Sequence, residues 1–565
     1  VASSWLAHYD EGVPASLAPY PSRTLLDFIS DTASERPTHP AALFRGTRLT
    51  YAELELATDA FAAALAALGV KKGDTVALVL PNCPQFLIAE IAVWKLGAVV
   101  FPLNPLYTER ELQTALADSG VETAIALTRF YDPLCAIRPA TRLKRIIATN
   151  IKEYLPRILR VLFTLFRERK EGHRITLRAS DFWFQDLLAK HRGAGRPASA
   201  PGPDDPAIML MSGGTTGTPK QAVGYHRSLV AAGLQLHAWM KPGSRDWEDI
   251  ILLPLPLFHV YANVGVQTYA IVGHNPILLV PNPRDINDLL AQIRKERPAF
   301  LSAVPTLFIA LLNHPDVASG KADFSSIRIC FSGAAPLMAE TKRRFESLTG
   351  GRIVEGYSLT EAMMATFVNP VKGTNKIGSV GLPLPDVEVR IVDSEDGDRQ
   401  LDRGVMGEVL IRAPQLMAGY WQNPEETALA LQAHGPGGVW LHTGDLGYLD
   451  DEGYLFLVDR KKDLIKSSGY QVWPREIEEV LASHPAVAEV GVAGVADATK
   501  GEYVHAWVVL RSGMTATEED LRTFCRESLA PYKVPRCVEF KSDLPKTMTG
   551  KVLRRALIPT TTPRP

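Results

Sequence analysis

Between residues 51 and 128 three short runs rich in valine, leucine and alanine, DTVALVL, GAVVFPL and VETAIAL, alternate with three helical patterns, LATDAFAAALAALG, PQFLIAEIAVWKLG and ERELQTALADSG. A strand apolar at almost every position needs cover on both faces, and helices inserted between such strands supply it, so the alternation dictates a parallel sheet wound with helices. The rhythm returns in DINDLLAQIRKERPAFLSAVP and SSIRICFSGAAPL, which implies a second doubly wound sheet. After about residue 385 the texture changes. VEVRIVD, GEVLIRA and GYLFLVD are strands linked by Gly and Asp turns, the pattern of a small antiparallel barrel or sheet. A last unit begins near Lys461, with Pro474 opening PREIEEVLASH, Thr517 capping EEDLRTFCRESL, and strands AEVGVAGV and YVHAWVVL between them. The expected class is α/β: a large N-terminal domain over residues 1–460, made of two doubly wound sheets plus a small β-barrel-like subdomain, and a small mobile α+β C-terminal domain over residues 461–565.

A chain of 565 residues is too long for one core, which agrees with this division. Lys plus Arg number 61 against 62 for Asp plus Glu, so no global field favours nucleic acid, and charged partners must be met locally. The five cysteines are scattered without zinc-ligand spacing and read as thiols of a reducing compartment. The first residues lack the basic and apolar regions of a secretory signal, so the expected location is cytoplasmic. Residues 250–283 carry no Asp, Glu, Lys or Arg, and their length alone would suggest a membrane span. Pro254, Pro256, Pro276, Pro281 and Pro283, with His259, Asn263 and Gln267, are expected instead to cut the run into short strands and one helix.

LMSGGTTGTPK, residues 210–220, has the composition of a phosphate loop. Gly213, Gly214 and Gly217 let the chain turn with its amides exposed, the hydroxyls of Ser212, Thr215 and Thr216 add donors, and Lys220 adds charge. A Walker A loop needs Gly-Lys followed by Ser or Thr, whereas Pro219 precedes this lysine and Gln221 follows it. A lone Gly/Thr loop is more often an ordinary turn, so the reading depends on what else the chain supplies.

It supplies an ordered series: PLFHVYA (256–262), FSGAAPL (331–337), EGYSLTEA (355–362), the stretch from WLHTGD to IEEVL (440–481) and LPKTMTGKVLRR (544–555). With the loop, these resemble the core motifs of the adenylate-forming superfamily of acyl-CoA synthetases, aryl ligases, luciferases and peptide-synthetase adenylation domains, over nearly the whole chain. FPLNPLYTERELQTALADSG, DRKKDLIKSSGYQVWP and SLAPYKVPRCVEF are most similar to bacterial long-chain fatty-acid CoA ligases.

The resemblance implies an ATP-dependent reaction in two steps. A long-chain carboxylate first displaces pyrophosphate to form acyl-AMP, and CoA then takes the acyl group, releasing AMP; ATP, Mg2+ and CoA are the implied cofactors and co-substrates. The attacking carboxylate is already a nucleophile, so the protein must chiefly position groups and neutralise charge. By the same resemblance the loop from Ser212 to Lys220 embraces the β- and γ-phosphates, Glu361 holds magnesium and Thr360 the α-phosphate. Tyr357 offers a face to adenine opposite Gly333, Ala334 and Ala335, while Asp445 and Arg460 bind ribose hydroxyls. Lys551 bridges carboxylate and α-phosphate, and His259 lies beside the carboxylate end of the acid. Lys462 is the hinge about which the C-terminal domain turns, and Lys466 and Gly469 belong to the CoA step.

Each of these has a bland competitor. Tyr357 would serve as ordinary core, Asp445 as a turn residue and Glu361 as a first-turn helix acid, and His259 is nearly as well explained by a core histidine. Three positions depart from the family pattern: Gln221, Tyr225 and Ser358. Rival functions are an aryl or medium-chain acyl-CoA ligase, an acyl-AMP ligase, and a silent nucleotide- and acyl-binding scaffold. The expected assembly is a homodimer.

Residues 149–174, with the core at 151–174, interrupt the strand and helix rhythm. Ile151, Tyr154, Leu155, Ile158, Leu159, Leu162, Leu165 and Phe166 recur at helical spacing, and Lys152, Arg157, Arg160, Arg167, Arg169, Lys170 and Arg174 supply a basic side. An interfacial helix on an anionic membrane surface has this composition. So does a surface helix packed on its own domain, and the two readings stand side by side. Pro156 suits a helix starting near it.

Overall fold

The computed structural model describes residues 4–198, 200–212, 219–394, 396–434, 438–460, 463–467, 470–497, 501–546 and 552–558. In the first half of the chain, Thr75–Val79 pairs in parallel with Val99–Pro102 on one side and Thr123–Leu127 on the other, and Arg145–Thr149 extends the run. Val76 and Leu78 point into one core, Ala77 and Val79 into another, and all four are buried, so both faces of this sheet are covered. That is why its strands read as continuous apolar runs. Eight strands complete the sheet, ending in the antiparallel set Pro206–Ser212, Lys220–Tyr225 and Gly419–Tyr420.

A second sheet of nine strands has the parallel centre Ile277–Leu279, Ile251–Leu253, Phe300–Ala303, Ile329–Ser332 and Arg352–Leu359, closed by antiparallel Met364–Val368. Helices Pro84–Lys95 and His226–Met240 lie in the largest core, which draws on both sheets. Five antiparallel strands, among them Glu388–Val392, Gly407–Arg412, Val439–Leu449 and Leu455–Arg460, form the expected small β unit. A fourth sheet, centred on Gly501–Leu510 with Val487–Asp497 as one of its neighbours, packs helices Pro474–Ser483 and Glu518–Ser528 around a core of its own. Thr517 accepts the amide of Asp520 as the sequence expects of an N-cap.

The uncharged run 250–283 is interrupted as expected. It contributes strand Ile251–Leu253, a π-helical turn Tyr261–Gln267, helix Thr268–Val272 and strand Ile277–Leu279. Among the described residues no helix is long and apolar enough to cross a membrane. The π turn is new relative to the sequence reading, and such turns recur at functional sites.

Helix Pro84–Lys95 is buried at every residue, so each polar side chain on it must be paired inside the protein. Lys95 meets Glu55 and Asp59, each at 2.6 Å. Gln85 donates to the Asn150 carbonyl at 3.0 Å. Glu90 accepts the side-chain amides of Asn263 and Gln267 at 2.7 and 2.5 Å, which ties the helix to the π turn.

The basic amphipathic segment is not one helix. A short turn Ile151–Tyr154 precedes helix Arg157–Phe166, and Pro156 is its N-cap. Ile151, Tyr154 and Leu155 pack on the main core. Ile158, Leu159, Val161, Leu162, Leu165 and Phe166 are all exposed, Ile158 to 75%, and Phe163 alone on this helix is buried. The self-packed alternative therefore fails for the outer turns.

Candidate active site

The phosphate-loop strand and the strand carrying EGYSLTEA belong to different sheets, and the site forms where their ends meet. Ser212 ends strand Pro206–Ser212, and its hydroxyl donates to the Glu361 carboxylate at 2.5 Å. Glu361 lies in the turn between Arg352–Leu359 and Met364–Val368, beside Thr360. A second donor, the Tyr420 phenol, reaches the same Glu361 oxygen at 2.8 Å, and the Met417 amide donates to the Glu361 carbonyl at 2.9 Å. The carboxylate is thus fixed before any ligand binds. Lys220, 8% exposed, ion-pairs with Glu426 and lies 5.0 Å from the centre of the Tyr420 ring.

A nucleoside-sized constellation stands next to it. Strand pairing sets Asp445 opposite Arg460, and the Arg460 Nε is 3.0 Å from the Asp445 carboxylate. The phenol of buried Tyr357 donates to Asp445. Burial and the negative Asp445 push this phenol well above its ordinary range, so Tyr357 remains a donor. Arg460 is held charged, first by Asp445, with Tyr357, Asp463 and Glu361 also in electrostatic range. Gly333, Ala334 and Ala335 follow strand Ile329–Ser332, the parallel neighbour of the strand bearing Tyr357. A Cβ at Gly333 would lie 3.2 Å from the Tyr261 ring, so a side chain there would crowd the wall that separates this region from the interior.

His259 stands two residues before the π turn, and its Nδ1 accepts the Tyr261 amide at 3.2 Å. Burial lowers the imidazole to about 4, so the ring is neutral near pH 7 and suited to a hydrogen bond rather than to a charge. Tyr261 donates to the Phe331 carbonyl at 2.8 Å and, with Gly265, Val266, Phe331 and Met364, lines an apolar cavity of about 10 Å³. About one water fills such a space.

The structure therefore brings together Ser212, Lys220, Thr360 and Glu361 at one point and Gly333, Ala334, Ala335, Tyr357, Asp445 and Arg460 at its neighbour. Gly213, Gly214, Thr215, Thr216 and Gly217 of the loop, Lys462, Gly469 and Lys551 lie outside the described residues, as does the side chain of Lys466. Sequence reasoning missed Tyr420 and Glu426. Neither carries a motif. Tyr420 reaches the site because it pairs with Ala222 across strands nearly 200 positions apart in the chain, and Asn423 then caps the helix that presents Glu426.

The three departures are accommodated locally. Gln221 is buried in a regular strand opposite Met211 and donates to the Ala115 carbonyl at 3.4 Å. Tyr225 stands at the N-cap of helix His226–Met240, with Arg227 over its ring. Ser358 sits at a pairing irregularity beside Tyr357.

Comparison with known proteins meets this geometry. A family model for "AMP-binding enzyme" matches residues 29–421, and one for "AMP-binding enzyme C-terminal domain" matches residues 476–551. The chain is 38% identical over 555 residues to a "Long-chain-fatty-acid--CoA ligase" of Bacillus subtilis (strain 168), covering 98% of this chain and 97% of that protein. A protein of the same name from Yersinia pestis is 36% identical over 561 residues with the same coverage. Among solved structures, ATP-bound MatB from Rhodopseudomonas palustris superposes with a TM-score of 0.80 at 29% identity, over 95% of this chain and 98% of that one. A Mycobacterium tuberculosis fatty acyl CoA synthetase gives 0.70 at 29% identity, over 94% and 97%.

Proposed function

Because the chain belongs to the AMP-binding enzyme family, we propose that it activates a long-chain fatty acid with ATP to acyl-AMP and transfers the acyl group to CoA. The observation that carries this reading is the meeting of Ser212 and Glu361 beside the Tyr357, Asp445 and Arg460 cluster, in a chain similar throughout its length to named fatty-acid CoA ligases.

Asp445 offers the acceptor that vicinal ribose hydroxyls need, and Arg460 orients that carboxylate. The neutral His259, bonded to the amide of the cavity-lining Tyr261, is the donor assigned to the carboxylate, whose chain would turn toward Tyr261 and Gly265. Lys220 is displaced from Glu426 when a triphosphate competes for it, so binding exchanges one charge partner for another at little desolvation cost. Lys551 is assigned to the negative charge that builds up as pyrophosphate leaves. Lys462 serves as the hinge between the two steps, with Lys466 and Gly469 on the CoA side.

The residues fit a magnesium ion. Among the described residues no group of three or more ligating side chains is clustered, and Glu361 is the one carboxylate at the phosphate end that neutral donors hold in place. Magnesium commonly takes one or two protein carboxylates and leaves its other positions to phosphates and water. When bound it would supply neutralisation of phosphate charge; Ser212 and Tyr420 supply the fixed orientation of Glu361.

Pyrophosphate release from ATP, measured across a carboxylic-acid panel with and without CoA, tests the reading. Turnover with long saturated acids and a thioester product is expected. Release with aryl acids only, or acyl-AMP accumulating despite CoA, would assign the rival ligases, and no release with any acid would leave a silent binder.

A second reading concerns where the fatty acid comes from. Six exposed apolar side chains on helix Arg157–Phe166, bordered by exposed Arg157, Arg169, Lys170 and Arg174, match the surface of an anionic bilayer in both apolarity and charge. The helix would lie on the membrane at the acyl source. Reversing Arg157, Arg169, Lys170 and Arg174 to Glu should release the protein from phosphatidylglycerol vesicles while activity on detergent-dispersed acid persists; unchanged vesicle binding would exclude the reading.

A further inference from the structure

Glu90 is a fully buried acid that none of the chemistry above employs. Its two oxygens accept the side-chain amides of Asn263 and Gln267, and no ion-pair partner faces it among the described residues. Both amides stand on the π turn Tyr261–Gln267, four positions apart, and so point to one side. The other side of the turn, through Tyr261, Gly265 and Val266, forms a wall of the apolar cavity.

That cavity is small. At about 10 Å³ it has no room for an acyl chain, and the group filling it is visible: a Cβ on Gly265 would lie 2.5 Å from the Met364 Cε, so the thioether rests directly on bare backbone. Admission of a chain requires either the Met364 side chain or the π turn to give way. Methionine is flexible and re-packs readily. A π turn is the less stable alternative to an α-helix and rewinds unless something holds it. Glu90 bonds two of its side chains, with the Leu257 carbonyl also on Asn263, so rewinding that turned Asn263 and Gln267 away would leave the buried carboxyl unpaired.

We propose that Glu90 is a positioning residue for acyl-chain binding: it locks the π-helical wall so that a long chain enters by displacing Met364 against a fixed surface. The proposal rests on the acyl-CoA ligase reading and names the residue that shapes its chain-length preference.

Two variants separate this role from ordinary core packing. In Glu90→Leu the Gln267 amide loses its acceptor and the Asn263 amide keeps only the Leu257 carbonyl, at 3.0 Å. Glu90→Gln can re-pair by rotation of an amide, since the carbonyl oxygens of Asn263 and Gln267 have no partner of their own. Initial rates are measured over saturated acids of increasing length, at saturating ATP and CoA. Glu90→Leu is expected to raise KM for the preferred long acid by about tenfold, with KM for ATP and turnover of the shortest accepted acid within about twofold of wild type. Glu90→Gln is expected to restore the wild-type profile. A uniform loss over all acids, a parallel rise in KM for ATP, or a Gln variant no better than the Leu variant would overturn the proposal. If Glu90→Leu does not fold, Gln267→Leu, which removes one of the two bonds, is judged by the same criteria. Wild-type protein that turns over no long acid overturns the ligase reading itself, whereas an active wild type with length profiles unchanged in the variants overturns the role of Glu90 alone.

Discussion

Arg554 donates to Asp459 at 2.7 Å, and the same guanidinium meets Glu478 at 2.6 Å. Asp459 is the immediate neighbour of Arg460, the ion-pair partner of Asp445, and its carboxylate also accepts the Arg475 amide at 2.9 Å. One buried carboxylate therefore links the last described helix, Arg554–Leu557, to the strand that ends at the site. The two acids hold Arg554 above its ordinary range against the opposing effect of burial. Arg554→Ala leaves Asp459 desolvated without its cation, at a cost of about 3 kcal/mol. Hydrogen exchange should show the loss in residues 463–558 and not in the two large sheets; a uniform loss of protection would contradict it.

Tyr420→Phe removes one of two donors to Glu361 while keeping the ring beside Lys220. A hydrogen bond to a charged group contributes about 1.5 kcal/mol or more, so kcat/KM for ATP is expected to fall by about tenfold or more in pyrophosphate exchange. Thioester formation from supplied acyl-AMP should be unaffected, and an equal loss in that step would remove Tyr420 from the phosphate end.

Lys551→Ala is expected to depress acyl-AMP formation by at least about two orders of magnitude, the effect of losing one preorganised donor to developing charge or more. Conversion of supplied acyl-AMP to acyl-CoA should persist. Comparable losses in both half-reactions would reject the assignment.

Met364→Ala empties the space over Gly265. A cavity of that kind costs about 2–4 kcal/mol in the ligand-free protein, so thermal stability should drop. Long or branched acids should restore part of it by filling the space, a shift readable as ligand-dependent melting; an Ala variant that no acid stabilises beyond wild type would place the acyl chain elsewhere.

Burial pushes the Glu90 carboxyl up to about 7 from 4.5, opposed by its two amide bonds. The folded protein thus binds this proton more tightly than the unfolded chain. Its contribution to stability is complete below about pH 4.5, declines as pH rises through 7 and is constant above, a change on the order of 3 kcal/mol. Glu90→Gln lacks the titration. The stability difference between wild type and this variant, from urea unfolding at pH 5 and pH 8, should move against wild type at the higher pH. A difference independent of pH would show that Glu90 does not titrate in that window.

The two wound sheets were legible in the chain alone, because strands such as Thr75–Val79 must be apolar on both faces and helices need periodic stripes, and both patterns are local. The residue types proposed to serve the nucleotide were equally legible, since the motifs around Ser212, Tyr357, Glu361 and Asp445 are short and contiguous. That Tyr420 and Glu426 join them is visible only in the folded chain, because strand register across distant segments sets those contacts and no local period encodes it. The same holds for the outward face of Arg157–Phe166, which depends on whether neighbours cover it, and for the π turn under Met364, where the pairing of Glu90 with Asn263 and Gln267 overrides the α-helical preference of the chain.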